Sequence, residues 1–342
     1  MSDRGPSGGE LDGGARMLAS VRTRLSAAAA DLALPEAHRL GDGQRRTLSA
    51  LYAGLVRGVE DELRAALAER FDGSVSAALS SAHVPIALPI LAGEAPFEDP
   101  ALLSALLRRA EEHRLSRAGA DAALLVELAG EEDEEVAAEA MSLLVAHSGR
   151  FDPFQEPLIA RTELPADLEH GLVWTVAAAL RRYLVERHEI DAPSADEAVA
   201  AAATALLGGY DEGQSVQALA LRLARRLAAV DRLGDAVVER CLAEGGLPLF
   251  LAALAVRSGL DCDSAWEIFS EPTGRGGVLL LRAAGLGRDR TAAILLELGA
   301  GDDALASKLD QFDTLSEADA ARLIGLWRLD PAYRAAIARL AA

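Results

Sequence analysis

Six histidines, His38, His83, His113, His147, His170 and His188, are the first residues to test for chemistry. No two have the i, i+4 spacing of a helical metal site, and none sits in a His-Glu-x-x-His arrangement, so they specify no metal. His147 continues a stripe of Ala140, Leu143 and Leu144 and reads as a partly buried residue at a helix end. His188, beside Glu186, Glu189 and Asp191, reads as a helix-end cation that complements the macrodipole. Cys241 and Cys262 match neither a disulfide framework nor a metal or redox spacing, which suits a reducing compartment. Gly274-Arg-Gly276-Gly277 has the glycines of a phosphate cradle without the preceding strand or the Gly-Lys-Ser/Thr, and reads as a turn between helices. No catalytic, metal or cofactor-binding residue is assigned. An enzyme or small-ligand site built from residues distant in sequence stays open, and would need a deep pocket holding a His or carboxylate of displaced pKa.

Charge is the sharper signal. The run Glu131-Glu-Asp-Glu-Glu135 directly precedes Val136, where acids favour the positive end of a helix dipole; the other reading is a docking edge for a basic partner. Arg108, Arg109, Arg114 and Arg117, and separately Arg222, Arg225, Arg226 and Arg232, form basic clusters and are the candidate protein-binding residues. They suit an acidic or phosphorylated segment, or pairing with neighbouring repeats. Trp174, Trp266 and Trp327 fall on apolar stripes and read as core.

The elements that must position these residues are helices. The 342 residues include 71 Ala and 57 Leu against 34 Val, Ile and Thr together, with aromatics at 4%. Ala and Leu lose little on entering a helix, whereas strands draw on β-branched and aromatic side chains. The net charge of −19, with Lys308 the single lysine among 34 basic residues, opposes binding to a phosphate backbone. Neither nucleic acid nor an anionic membrane is an expected partner. No run reaches a membrane span, the longest being the ten apolar residues from Leu247 to Val256. The polar, glycine-rich start lacks the apolar region of a signal peptide, so the expected location is cytoplasmic.

Residues 1–15 read as a disordered tail. A first amphipathic stretch carries Leu18, Val21, Leu25 and Leu32. Next, Leu48, Leu51, Tyr52, Leu55, Val59, Leu63, Leu67 and Phe71 recur at steps of three and four, which predicts a one-sided helix. Asp99-Pro100 and Asp330-Pro331 read as helix starts, as do Ser194 with Glu197, Ser264 with Glu267 and Ser316 with Asp319 at capping-box spacing. Gly259-Leu260 before Ala265–Phe269 aligns, 26 residues on, with Gly285-Leu286 before Thr291–Leu295. A repeat of this kind points to stacked helix pairs. The expected fold is all-α, a HEAT/armadillo-like helical solenoid of degenerate helix pairs. N-terminal repeats are expected over 16–150, a connection bearing Pro153, Pro157 and Pro165 over 151–166, and C-terminal repeats over 167–342. The connection reads equally as a domain boundary or a bend in one superhelix.

The segments Glu62–Glu69, Val84-Pro-Ile-Ala-Leu-Pro-Ile-Leu91, Phe97–Leu102 and Leu279–Leu286 resemble an alphaproteobacterial family of uncharacterised proteins, catalogued as a domain of unknown function. The resemblance runs from about residue 45 to the C-terminus. It implies a helical bacterial protein and carries over no activity, substrate or catalytic residue. Within Val84–Leu91, Pro85 and Pro89 predict a short helix start and a kink. Because stacked helix pairs expose an extended concave face, the leading expectation is a cytoplasmic scaffold or adaptor that binds another protein, in bacterial signalling by analogy. That expectation requires an exposed groove lined by arginine or aromatic residues. Self-association stays open.

Overall fold

The computed structural model describes residues 40–81, 84–91, 99–115, 122–271 and 273–341. The chain falls into two compact units, Met1–Arg46 and Thr47–Ala342, and the core and site lie in the second. The tail over 1–15, the stripe from Leu18 to Leu32, and His38, His83 and Arg117 lie outside the described residues. Among the described residues there are seventeen α-helices and no strand. Their one extended pairing is an isolated antiparallel bridge between Phe151 and Pro157.

Helix α1 (Asp42–Ala68) buries Leu48, Leu51, Leu55, Val59, Leu63 and Leu67 of the predicted stripe, while Tyr52 is half-buried and Phe71 lies beyond the end of the helix. The same helix buries a charged pair, Glu60 and Arg64, one turn apart and 3.0 Å from each other. Arg64 donates to the carbonyls of Ala78, Leu79, Ser81 and Val84, so it closes the C-terminus of α2 (Gly73–Leu79). Glu60 accepts from the N–H groups of Ile86 (2.8 Å) and Ala87 (2.9 Å) at the start of α3 (Ala87–Leu91). One ion pair thus satisfies the orphan groups of two short helices that could not hold themselves. Pro85 lies just before α3 and Pro89 in its first turn, which gives the short helix start that the sequence predicts.

Helix α4 (Pro100–Leu115) begins at Asp99, which accepts from Ala101 and Leu102 N–H. Next come α5 (Ala123–Ala129) and α6 (Glu134–Ser148), packed as a pair. A 3-10 turn, Arg161–Glu163, leads into α7 (Ala166–His188), which packs on α8 (Ala192–Gly208). Then follow α9 (Val216–Ala229), α10 (Asp235–Gly245), α11 (Leu247–Ser258), α12 (Cys262–Phe269), α13 (Arg275–Ala283), α14 (Arg288–Glu297), α15 (Asp302–Thr314) and α16 (Glu317–Leu323). A 3-10 turn, Ile324–Arg328, precedes α17 (Pro331–Ala341).

Helix α11 is the centre of the core. Every residue from Leu247 to Ala255 is buried, and the helix packs on α9, α10, α12 and α13. A helix apolar all round has no face to show to water and belongs inside. Phe250 meets Phe269 edge-on, with ring centroids 5.9 Å apart. The corner before α11 needs glycine twice over: Gly246 has φ 82°, and a Cβ there would lie 2.9 Å from His147 Cε1. Between α12 and α13, a Cβ on Gly276 would lie 1.8 Å from the Ile268 carbonyl oxygen, so only glycine lets the two helices meet.

Ser316 caps α16, accepting from Asp319 N–H, and Asp330 caps α17, both as expected. Two starts are corrected. Asp191 accepts from Ser194 N–H, and Asp261 from Ser264 N–H, so the caps of α8 and α12 lie three residues before the predicted serines. In each stretch two capping patterns overlap, and the upstream carboxylate takes the N–H of the serine itself. Gly259 (φ 66°) and Gly285 (φ 73°) end their helices in the left-handed region. Leu260 and Leu286 N–H then reach back to the Ala255 and Leu281 carbonyls, which gives both repeat units the same stop. Gly299 (φ 85°), followed by the bond from Ala300 to Leu295, is a third such ending.

Candidate functional site

The basic clusters and the acidic run lead to two different places. On one side, arginines of α9, of α10 and of the turn between them meet the acids around the start of α6. Arg222 pairs with Glu139 (2.9 Å), Arg226 with Asp133 (3.1 Å) and Glu135 (2.6 Å), Arg232 with Glu131, and Arg240 with Glu127 (2.7 Å). Asp133 is also the cap of α6, accepting from Glu135 and Val136 N–H. Three of the four arginines of the second cluster are therefore held by the chain's own acids, while Arg225 is exposed.

On the other side, Arg108 and Arg109 of the first cluster turn inward. Helix α4 buries Leu102, Leu106 and Ala110 at four-residue steps, and this phase carries Arg109 into the core. Its guanidinium donates to the carbonyls of Leu158 (2.8 Å) and Arg150 (2.6 Å) and lies over the Phe151 ring at 5.2 Å. It pairs with no carboxylate among the described residues. Burial and the charge of Arg150 push it down to about 10. Arg108 spans Glu112 (3.1 Å) and Asp263 (2.6 Å), over the Trp266 ring at 5.3 Å. Arg114 pairs with Glu111 near the surface.

Arg150, absent from any sequence cluster, ties this region together. It bonds Glu112, and its Nε lies 3.0 Å from Glu163 Oε2, with all three side chains at most 5% exposed. The Nε and Oε2 atoms are misaligned, so neither completes a hydrogen bond. Burial alone would raise the Glu112 carboxyl, but Arg150 and Arg108 outweigh it and hold it below the ordinary range. Burial likewise opposes the charge on Arg150, and Glu163 and Glu112 outweigh it in turn. Beside this lattice, burial together with Arg150 and Arg109 pushes the His147 imidazole down to about 4, so it is neutral at pH 7.

Above the lattice opens a cleft of about 370 Å³ between α4, the segment 159–168, the start of α9 and α12. Its floor holds Arg108, Arg109, Glu112, Arg150 and Glu163, and Trp266 forms one wall. Glu212, Asp263 and Glu267 also line it; Glu212 is exposed, and the other two side chains are 82% and 54% exposed. Trp174, expected in the core, is instead at the surface, bonded to His170 at 3.1 Å. Burial pushes Cys241 up to about 12 and Cys262 up to about 11, so both are protonated, unreactive thiols at pH 7. Among the described residues, no three His, Cys, Asp or Glu side chains converge as a metal site, and no helix is long and apolar enough to cross a membrane.

An all-helical protein with a half-open cleft over buried ion pairs is the class these features define. The chain belongs to the DUF2336 family, described as uncharacterised protein conserved in bacteria, whose model matches residues 86–325. The match takes in Leu279–Leu286 and most of Val84–Leu91, and it leaves out Glu62–Glu69. Neither a curated protein nor a solved structure matches the chain.

Proposed function

We propose that this protein is a cytoplasmic, HEAT-like scaffold or adaptor whose docking surface is the cleft over Arg108, Arg109 and Trp266. One observation carries the reading: the cleft has Arg108 and one aromatic side chain, Trp266, in its lining and stays open, where aliphatic packing would have closed it. The recurring glycine stops at Gly259, Gly285 and Gly299 support a repeat architecture, and bacterial signalling is the setting that analogy offers. The test is a photo-crosslinking residue in place of exposed Ser104 at the cleft, or of exposed Val145 on α6 away from it, in the full chain in cells. A protein partner captured from position 104 and not from 145 is the expected result; equal or no capture overturns it. Capture of a second copy would make the partner the protein itself.

A second reading, a small-ligand binder, draws on a cleft of about 480 Å³ lined by Ile268, Leu279, Leu315, Leu323 and Trp327, with Gln311 and Thr314 as polar partners. A small molecule retained in native mass spectra, and lost on Leu279→Trp, would favour it.

A further inference from the structure

The cleft of about 480 Å³ beside α13 joins apolar walls to unengaged positive charge. Ile268, Leu279, Leu315, Leu323 and Trp327 supply the walls, and Leu323 stays 50% exposed. Such walls take an apolar body, and the few polar groups at the edge decide which head that body carries. The carboxylates at this edge are already engaged. Glu267 pairs with Arg334 at 3.2 Å, and Glu271 accepts from the N–H groups of Thr273, Arg275 and Gly276 and from the Thr273 hydroxyl.

The cations are not engaged. Arg275 lines the cleft and is exposed, and its guanidinium makes no ion pair or hydrogen bond among the described residues. Lys308, the single lysine, reaches the same end from α15. Its Nζ lies 3.0 Å from the point where a Cβ on Gly274 would stand, and it too has no partner among the described residues. Gln311, one turn further along α15, lines the cleft and donates to the Arg275 carbonyl at 3.4 Å, which ties that helix to the start of α13. With Glu267 and Arg334 cancelling, Glu271 alone stands against two cations, so this end is positive in a chain of net charge −19. As a sequence, Gly274–Gly277 lacks the lysine of a phosphate cradle; the fold brings one to it.

Resting on the small-ligand reading, we infer that this cleft binds an amphipathic anion, its apolar tail among Leu279, Leu315, Leu323 and Trp327 and its carboxylate or phosphate head at Arg275 and Lys308. A charge-assisted contact to these cations separates such a ligand from a neutral one with the same tail.

The experiment titrates the full chain by calorimetry with decanoate, decyl phosphate, 1-decanol and decyltrimethylammonium, each below its micellar concentration. Decanoate or decyl phosphate is expected to bind at least tenfold more tightly than decanol, which reports the tail alone, and the better of the two names the head. Arg275→Met and Lys308→Met are each expected to weaken the anion threefold or more and to leave decanol within twofold. Arg187→Met, at an exposed position on α7, is the control and should change neither. Leu279→Trp should abolish binding of every probe. Tighter binding of decyltrimethylammonium, anion binding that survives Leu279→Trp, or equal weakening by Arg187→Met overturns the inference. Decanol bound as tightly as the anions and lost on Leu279→Trp sinks the anionic head and leaves the small-ligand reading standing, as does a neutral or cationic molecule retained in native mass spectra. If no probe binds and no molecule is retained, the small-ligand reading falls too.

Discussion

The two arginine systems of this protein use the same chemistry under opposite conditions. Around Arg150 the ion pairs lie inside, with Arg150 3% and Glu112 2% exposed; in the ladder from α9 and α10, Arg232 and Glu131 are 41% and 20% exposed. Inside, each charge has lost its hydration and depends on its partner, so the pairs constrain geometry more than they add net stability. Outside, water and salt share the work, and each pair holds its two segments together only loosely. Residues that look equivalent as clusters in the sequence therefore differ in what their loss would do.

The largest break in that comparison comes from Arg150→Met, which strands Glu163 without its counter-charge and leaves Glu112 with Arg108 alone. Urea unfolding is expected to show a loss of about 3–5 kcal/mol; a loss below about 1 kcal/mol would mean that the lattice is wet.

Acid is the next lever, and its sign follows from His147. Its unfolded pKa is near the ordinary 6.5 and its folded value is about 4. Above pH 6.5 both states are neutral and the group is silent. As pH falls from 6.5 toward 4 the unfolded chain takes up a proton that the native protein refuses, so stability drops, by about 2 kcal/mol between pH 7 and pH 5. His147→Gln should remove most of that slope, measured as urea midpoints at the two pH values.

Arg109→Met sharpens the contrast within the buried set. It deprives two carbonyls of donors but also removes a buried charge that has no acid partner, so a smaller loss of about 1–2 kcal/mol is expected. If it matches Arg150→Met, the charge of Arg109 is stabilised by something besides the carbonyls and the Phe151 ring. The smallest effect belongs to the ladder. A double-mutant cycle between Arg232→Ala and Glu131→Ala should give a coupling of less than about 1 kcal/mol, falling further in 1 M salt.

Helix phase made part of this legible in advance. Arg109 stands three residues after Leu106 on the stripe of α4, and Arg108 and Glu112 are one turn apart, so the inward turn of Arg108 and Arg109 could be read from spacing. The stripe of α1 and the starts at Asp99, Ser316 and Asp330 were equally plain, because caps and periodicity are local. Arg150 gave no such signal. It follows the end of α6 at Gly149, outside any periodic stretch, and finds Glu112 and Glu163 only once the chain has turned through Phe151 and Pro157. The cleft itself is assembled from four segments between residues 101 and 267, and no local pattern encodes their meeting. The acidic run and the second arginine cluster were each legible as charge, but that they answer one another across about ninety residues is a property of packing.

The burial of α11 on every side has a consequence for how the chain is made. During synthesis α9 and α10 emerge before it and α12 and α13 after it, so Leu247–Ala255 leaves the ribosome while half of its covering is still inside the exit tunnel. Until residue 283 has emerged as well, the most apolar segment of the protein lacks the helices that shield it. Released chains truncated just beyond Gly259 should be the ones that chaperones hold and proteases find.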